Sequence, residues 1–130
     1  MIADYAPIFI VTLIALLEYF GFALAVGRAR YRFGVKAPAT TGNIDFERYY
    51  RGQMNTLELL IIFIPALWSC ALLYSITWAT SLGAIFIVGR LAYFMGYVKA
   101  AEKRSIGFGL STIPMLILAI LGLVGAFRVL

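Results

Sequence analysis

Apolar residues run almost unbroken through residues 7–26, 57–76, 78–98 and 107–127, and polar residues gather between these runs. A helix rises 1.5 Å per residue, so ~20 residues cross the ~30 Å hydrocarbon layer of a bilayer. Lipid offers the backbone no hydrogen-bond partner, which leaves the helix as the way for such runs to cross. The pattern predicts an all-α, integral membrane four-helix bundle formed by a single domain over residues 1–130. The first run holds Ala23-Leu24-Ala25, which resembles a signal-peptide cleavage site. Asp4 stands where such a peptide carries basic residues, and the apolar stretch is long, so the run is expected to stay as a span.

The segments between the runs differ in kind. Gly34, Pro38, Thr40, Thr41, Gly42 and Asn43 make the first connection rich in turn formers. Asp45 is expected to cap helix two, which then begins near residue 46 and stands out of the hydrocarbon as far as Glu58. The second connection, Tyr74-Ser75-Ile76-Thr77, carries no charge and is expected to be a tight turn. Pro65 and Pro114 fall inside spans two and four, where membrane helices tolerate proline and often kink.

Composition agrees with a lipid-facing surface. Hydrophobic residues make up 63% of the chain, against about 45–50% in a soluble domain. The 11 Lys and Arg outnumber the 6 Asp and Glu, for a net charge of +5, and their placement is informative. Arg28, Arg30, Arg32, Lys36, Arg48 and Arg51 lie between spans one and two; Lys99, Lys103 and Arg104 lie between spans three and four. With four spans these two segments share one side, which the positive-inside rule makes cytoplasmic, with both termini outside. A basic chain raises nucleic acid as a partner. Bases confined to short segments between spans point instead to anionic headgroups or small anionic ligands, and no nucleic acid is expected. The single cysteine, Cys70, rules out an intrachain disulfide. The absence of histidine excludes a Ser-His-Asp triad, a Cys-His pair and histidine metal sites, and no metal is expected.

One echo runs through the chain. Val26-Gly27-Arg28 precedes Tyr31, Phe33, Gly34 and Lys36, and Val88-Gly89-Arg90 precedes Tyr93, Phe94, Gly96 and Lys99. A duplicated hairpin is one reading. The plainer one is two membrane exits with the same aromatic and basic anchors.

Polar residues in or near spans default to functional hypotheses. Arg48, Arg51, Asn55 and Glu58 are spaced three, four and three apart, which is one stripe on helix two. Gln53 points about 160° away from Arg51 at 3.6 residues per turn. One bundle therefore struggles to bring both to one ligand, and a site between subunits can use both faces. Arg90, Tyr93, Tyr97 and Arg104 form a second stripe if helix three continues past the membrane. The two stripes are expected to meet across a wet cleft suited to a small zwitterionic anion. Arginine grips carboxylates bidentately, Glu58 can pair with an ammonium, and Gln53 and Asn55 can read amides. The competing structural reading makes Arg51–Glu58 and Arg90 internal ion pairs and Tyr93 and Tyr97 interface residues. Glu18 is the sole acid deep in a span, either a hint of an ion path or a partner within the bundle.

At these residues the chain resembles the superfamily of membrane-associated proteins in eicosanoid and glutathione metabolism. The matching stretches are Phe46-Glu47-Arg48-Tyr49-Tyr50-Arg51-Gly52-Gln53-Met54-Asn55 with Glu58, Gly89-Arg90-Leu91-Ala92-Tyr93-Phe94-Met95-Gly96-Tyr97, and Pro38-Ala39-Thr40-Thr41-Gly42. The resemblance implies a homotrimer with glutathione held between neighbouring subunits. It matches Arg30, Arg51, Gln53, Asn55, Glu58, Tyr93 and Tyr97 to glutathione-binding positions. It matches Arg104 to the catalytic arginine that stabilises the glutathione thiolate, with Ser105 beside it as a possible assistant or a helix cap. The implied activity is a glutathione transferase of detoxification or lipid metabolism. It joins its co-substrate glutathione to a hydrophobic electrophile from the membrane lipid, and glutathione peroxidase activity on a lipid hydroperoxide is left open. The alternative is a non-catalytic lipid-binding scaffold of the same superfamily. Tyr31 stands where the leukotriene synthase has a second consecutive arginine, and Leu59 where it has a tyrosine, which argues against that specific activity. The expected location is the inner or plasma membrane in a bacterium, or the endoplasmic reticulum in a eukaryote, with the site facing the cytoplasm.

Overall fold

A computed structural model describes residues 1–130. It consists of four long helices: α1 (Ala6–Phe33), α2 (Ile44–Leu73), α3 (Ile76–Lys99) and α4 (Ser105–Arg128), with 3₁₀ turns at Ile2–Tyr5 and Ala101–Arg104. All four are long and apolar enough to cross a bilayer. Only 31 of the 130 residues are buried, and many large apolar side chains face outward. Leu17, Phe20, Leu24, Ile61, Ile113 and Ile120 are among the large exposed ones. A surface of this kind is stable in lipid and not in water, and the protein is an integral, multi-pass membrane protein.

Several helix ends differ from the sequence expectation, each for a local reason. α1 runs past the hydrocarbon to Phe33 and stops where Gly34 takes a left-handed φ of 69°, its N–H bonding back to the Arg30 carbonyl. Arg28, Arg30 and Arg32 therefore sit on helix and not in a loop. α2 is capped by Asn43 and not by Asp45. The Asn43 backbone is extended, and its side chain accepts from the Phe46 N–H at 2.9 Å. Asp45 is already helical and pairs with Arg48 at 3.4 Å. The turn between α2 and α3 is Tyr74–Ser75, where the Ser75 hydroxyl accepts from the Trp78 N–H. α2 and α4 continue through Pro65 and Pro114.

The bundle closes on a core drawn from all four helices. Its centre is a stacked pair of rings, Phe63 of α2 and Phe86 of α3, 3.8 Å apart, flanked by Val11, Ala15, Leu67, Met115 and Leu118. α3 and α4 approach closely because glycine faces backbone. A Cβ on Gly89 would lie 2.6 Å from the Leu110 carbonyl carbon, and one on Gly107 would strike the Tyr93 backbone. Small residues at such contacts let membrane helices pack backbone to backbone. The close approach brings the start of α4 beside Tyr93, which matters for the site below. Gly27 has open space around it, unlike Gly89, and Arg28 is exposed whereas Arg90 is fully buried. The two echoed segments therefore hold unlike environments, and Arg90 is an interior residue and not a membrane-exit anchor.

Gly52 offers a test of this packing. A Cβ there would meet the Phe94 ring at 2.8 Å. That ring is held by stacking on Phe22 at 4.1 Å and by edge contact with Tyr49 at 5.8 Å. Gly52→Ala is expected to lower stability by about 1–2 kcal/mol through overpacking. Gly21→Ala, which meets nothing within 4 Å, should be neutral or stabilising by up to ~1 kcal/mol from helix propensity. Unfolding midpoints in mixed detergent micelles, compared for the two variants, check the difference; equal midpoints would show that the Phe94 stack yields freely.

Candidate functional site

The site grows from a single buried guanidinium. Arg90 of α3 is fully buried, and its Nη1 donates to Asn55 Oδ1 at 2.8 Å and Thr56 Oγ1 at 3.3 Å on α2. Its Nη2 donates to Ser111 Oγ at 2.8 Å on α4. The two hydroxyls in turn donate to carbonyls one turn back, Thr56 to Gly52 and Ser111 to Gly107. One side chain thus ties three helices together. The ion pairs expected of Arg90 are replaced by hydrogen bonds to neutral groups, and it lies beneath the cleft rather than in it.

Above it runs a column of alternating cations and rings. The Arg90 guanidinium lies 4.2 Å from the Tyr93 ring centre, Tyr93 meets Tyr97 edge-on at 5.5 Å, and the Arg104 guanidinium lies 5.4 Å from the Tyr97 ring. Arg104 reaches this column by a different route from the one its spacing predicts. α3 ends at Lys99, and the 3₁₀ turn folds the chain back so that Arg104 stands at the N-cap of α4. Its Nη1 donates to the Ala101 carbonyl at 2.5 Å. Ser105 is the first residue inside α4 and not a cap; its hydroxyl makes a long 3.4 Å bond to the Glu102 carbonyl.

Arg51, Asn55, Tyr93, Tyr97, Arg104, Ser105 and Phe108 line an open cleft of about 470 Å³. Arg51 and Arg104 are exposed to it, and Glu58 stands 3.9 Å from Arg51. The first turn of α4 opens here too, and the positive end of its helix dipole favours anions. That contribution was not legible from residue types, because it depends on where α3 stops. Phe108 was likewise missed: it reads as one more apolar residue of span four, and only the α3–α4 approach brings it to the cleft.

Two of the residues expected at the site lie elsewhere. Arg30 donates to the Ala39 carbonyl at 2.6 Å and sits over the Phe46 ring at 4.8 Å. Gln53 faces α1, its Nε2 donating to the Tyr19 hydroxyl at 3.3 Å. Arg48 also leaves the stripe, bonding Asp45 and the Lys99 carbonyl. Within one chain the cleft therefore holds Arg51, Asn55, Tyr93, Tyr97 and Arg104, with Glu58 at its edge. Two guanidiniums, two phenols and an amide around an open volume can hold a small polyfunctional anion. No group of three or more acidic, Cys or His side chains converges to hold a metal. A second, apolar groove of about 520 Å³ runs down α4 beside Leu82, Ile85, Ile106 and Leu110, and Ser105 lines both.

Comparison with known proteins identifies the company this arrangement keeps. A model described as the MAPEG family matches residues 8–124. An uncharacterized protein of Synechocystis is 47% identical over 111 residues, covering 85% of this chain and 81% of that protein. The human protein named microsomal glutathione S-transferase 2 is 45% identical over 104 residues, covering 80% of this chain and 71% of its own. The bovine protein named leukotriene C4 synthase is 38% identical over 94 residues, covering 72% of this chain and 63% of that protein.

Proposed function

The chain belongs to the MAPEG family, and from that premise we propose that it is a membrane-bound glutathione S-transferase. The observation that carries this reading is the meeting of two unlike volumes at one point. The polar cleft and the apolar groove share Ser105, directly beside Arg104. A peptide thiol held in the first can reach a hydrophobic electrophile entering the second from the bilayer.

In this reading Arg51 and Tyr97 grip the carboxylates and backbone of glutathione, Asn55 and Tyr93 bond its amides, and Glu58 takes its ammonium. Arg104 stands beside the sulfur. A free thiol has a pKa near ~8.5 and is mostly protonated at neutral pH; a guanidinium next to it favours the thiolate. The thiolate forms the C–S bond and the electrophile releases its leaving group, a halide in the case of an aryl halide. A lipid hydroperoxide in the same groove would be reduced to its alcohol and water while two glutathiones become a disulfide, which is the peroxidase form of the same site.

Arg30 and Gln53 belong to this site only if a second copy supplies them. They face away from the cleft that Arg51 lines, so a homotrimer with each site between neighbours is the arrangement that uses all of them. The basic end of the bundle, and the site with it, then faces the cytoplasm by the positive-inside rule.

Titrating glutathione against the purified protein in detergent, alongside conjugation of a generic aryl halide, tests the reading. Saturable binding with turnover is expected. Binding of lipid without saturable glutathione binding would replace the enzyme with a lipid-binding scaffold.

A further inference from the structure

A second cleft opens on the same end of the bundle, lined by Leu24, Ala25, Arg28, Ala29 and Arg32 of α1 and Tyr49 of α2, with a volume of about 480 Å³. It shares no residue with the cleft or the groove described above. Arg28 and Arg32 are one turn apart and so lie on one face of α1. Arg30 lies about 160° round the helix from either, with its guanidinium engaged by the Ala39 carbonyl.

Depth along the helix decides what such a cleft meets. The apolar run of α1 ends at Val26, and Arg28 and Arg32 stand two and six residues further on. At 1.5 Å per residue that is roughly 3 and 9 Å beyond the hydrocarbon, within reach of a headgroup layer about 5–7 Å thick on each side. Leu24 and Ala25 line the cleft at acyl-chain depth, and the Tyr49 phenol adds a donor at headgroup depth. The cleft is apolar at one end and doubly cationic at the other, in the order in which a phospholipid is built.

The charge is also uncompensated. No acidic residue lines the cleft, and neither Arg28 nor Arg32 takes part in an ion pair. Both residues are exposed. Arg32 has one other contact, over the Phe33 ring at 5.1 Å, which leaves the edge of its guanidinium free to donate. Guanidinium groups take phosphate oxygens in pairs. We propose that the Arg28–Arg32–Tyr49 cleft is a binding site for the phosphate of an anionic membrane phospholipid, separate from the glutathione site.

The test compares two variants with the same change of net charge. The whole protein is purified from nanodiscs holding phosphatidylcholine with a minority of phosphatidylglycerol, and retained lipid is counted by native mass spectrometry. Wild type is expected to retain phosphatidylglycerol preferentially. Arg28→Gln/Arg32→Gln is expected to lower that retention about tenfold or more, because charge-assisted hydrogen bonds to the phosphate are lost on top of surface charge. Lys36→Gln/Lys103→Gln, which removes two exposed cations from outside the cleft, should lower it by the surface-charge share alone, a clearly smaller factor. Equal losses in the two variants would reduce the effect to general surface charge and overturn the site. A parallel titration with inorganic phosphate separates the sources of the anion. Saturable thermal stabilisation by phosphate that Arg28→Gln/Arg32→Gln abolishes, with no preference for phosphatidylglycerol, would make this a soluble-anion site and overturn the lipid assignment. Circular dichroism on each variant confirms that the helices are intact, and because lipid retention is read directly, the result stands whether or not glutathione binds.

Discussion

Arg104→Ala is expected to slow glutathione conjugation several-fold to about fifteenfold at pH 7, while leaving glutathione affinity nearly unchanged. The size follows from thiolate occupancy. A thiol with an ordinary pKa of ~8.5 is about 3% ionised at pH 7, and one lowered by ~1.5 units is about half ionised, a ratio near fifteen. A less basic thiolate is also a weaker nucleophile, with a Brønsted slope of ~0.4–0.5, which takes back part of that factor. The sign of the pH dependence is fixed by the same reasoning. A depressed thiol pKa helps most below the ordinary value and not above it. The wild-type advantage should therefore be largest near and below neutral pH and vanish by about pH 8 once the Brønsted factor is included, or by about pH 9.5 on ionisation alone. Conjugation rates from pH 6 to 9.5, with the ultraviolet absorbance of the bound thiolate recorded alongside, check this. Equal rates at pH 7 would remove Arg104 from the chemistry. A loss of the same size at every pH would make it a positioning residue instead.

Arg104 also shows how far the sequence could be read. Its place near Tyr97 was predicted on the premise that α3 continues as one helix to residue 104. The helix stops at Lys99, and the chain returns through a 3₁₀ turn under Gly96, where a Cβ would strike the Lys103 carbonyl. The right neighbourhood thus followed from the wrong path, because heptad-like spacing and a tight reversal place residue 104 over the same ring. The four spans were legible because burial in lipid requires long uninterrupted apolar runs, a constraint that acts on every residue of each span. Helix ends were not. They depend on single side chains choosing a backbone N–H, as Asn43 does in place of Asp45. The opposed directions of Arg51 and Gln53 were legible because helical geometry sets them without help from tertiary contacts, and the Gln53–Tyr19 bond lies on the α1 side as that geometry requires. Arg90 was misplaced for the opposite reason. Nothing in its own stripe tells a guanidinium in water from one enclosed by α2 and α4, and the partners that enclose it, Thr56 and Ser111, look like ordinary small residues in apolar runs.

That enclosure gives the second large effect: Arg90→Met is expected to destabilise the bundle by about 3 kcal/mol, the range in which removing one partner of a buried charged network falls. Two terms compete. Burying a guanidinium is itself unfavourable, and methionine of similar bulk relieves that. Against it stand three hydrogen bonds that cross-link α2, α3 and α4. Interhelical bonds in membrane proteins average about 0.6 kcal/mol each and reach ~1.7 kcal/mol, so on their own they come close to balancing the relief. The acceptors left behind decide the sign. Arg90→Met strands Asn55 Oδ1, Thr56 Oγ1 and Ser111 Oγ without their donor, and a buried polar group left unpaired costs about 1–3 kcal/mol. Adding Thr56→Val and Ser111→Ala to Arg90→Met removes two of those acceptors and should then recover part of the lost stability, a coupling of the size expected within one network. Unfolding free energies of wild type, Arg90→Met, Thr56→Val/Ser111→Ala and the combined variant in mixed micelles close the cycle. Additive effects would separate the two hydroxyls from Arg90. A wild-type midpoint for Arg90→Met would mean that the three hydrogen bonds do no more than offset the burial of the charge. In either Arg90→Met variant that folds, Tyr93 and Asn55 lose the guanidinium that orients them, so the Michaelis constant for glutathione should rise even where removing the stranded hydroxyls restores stability.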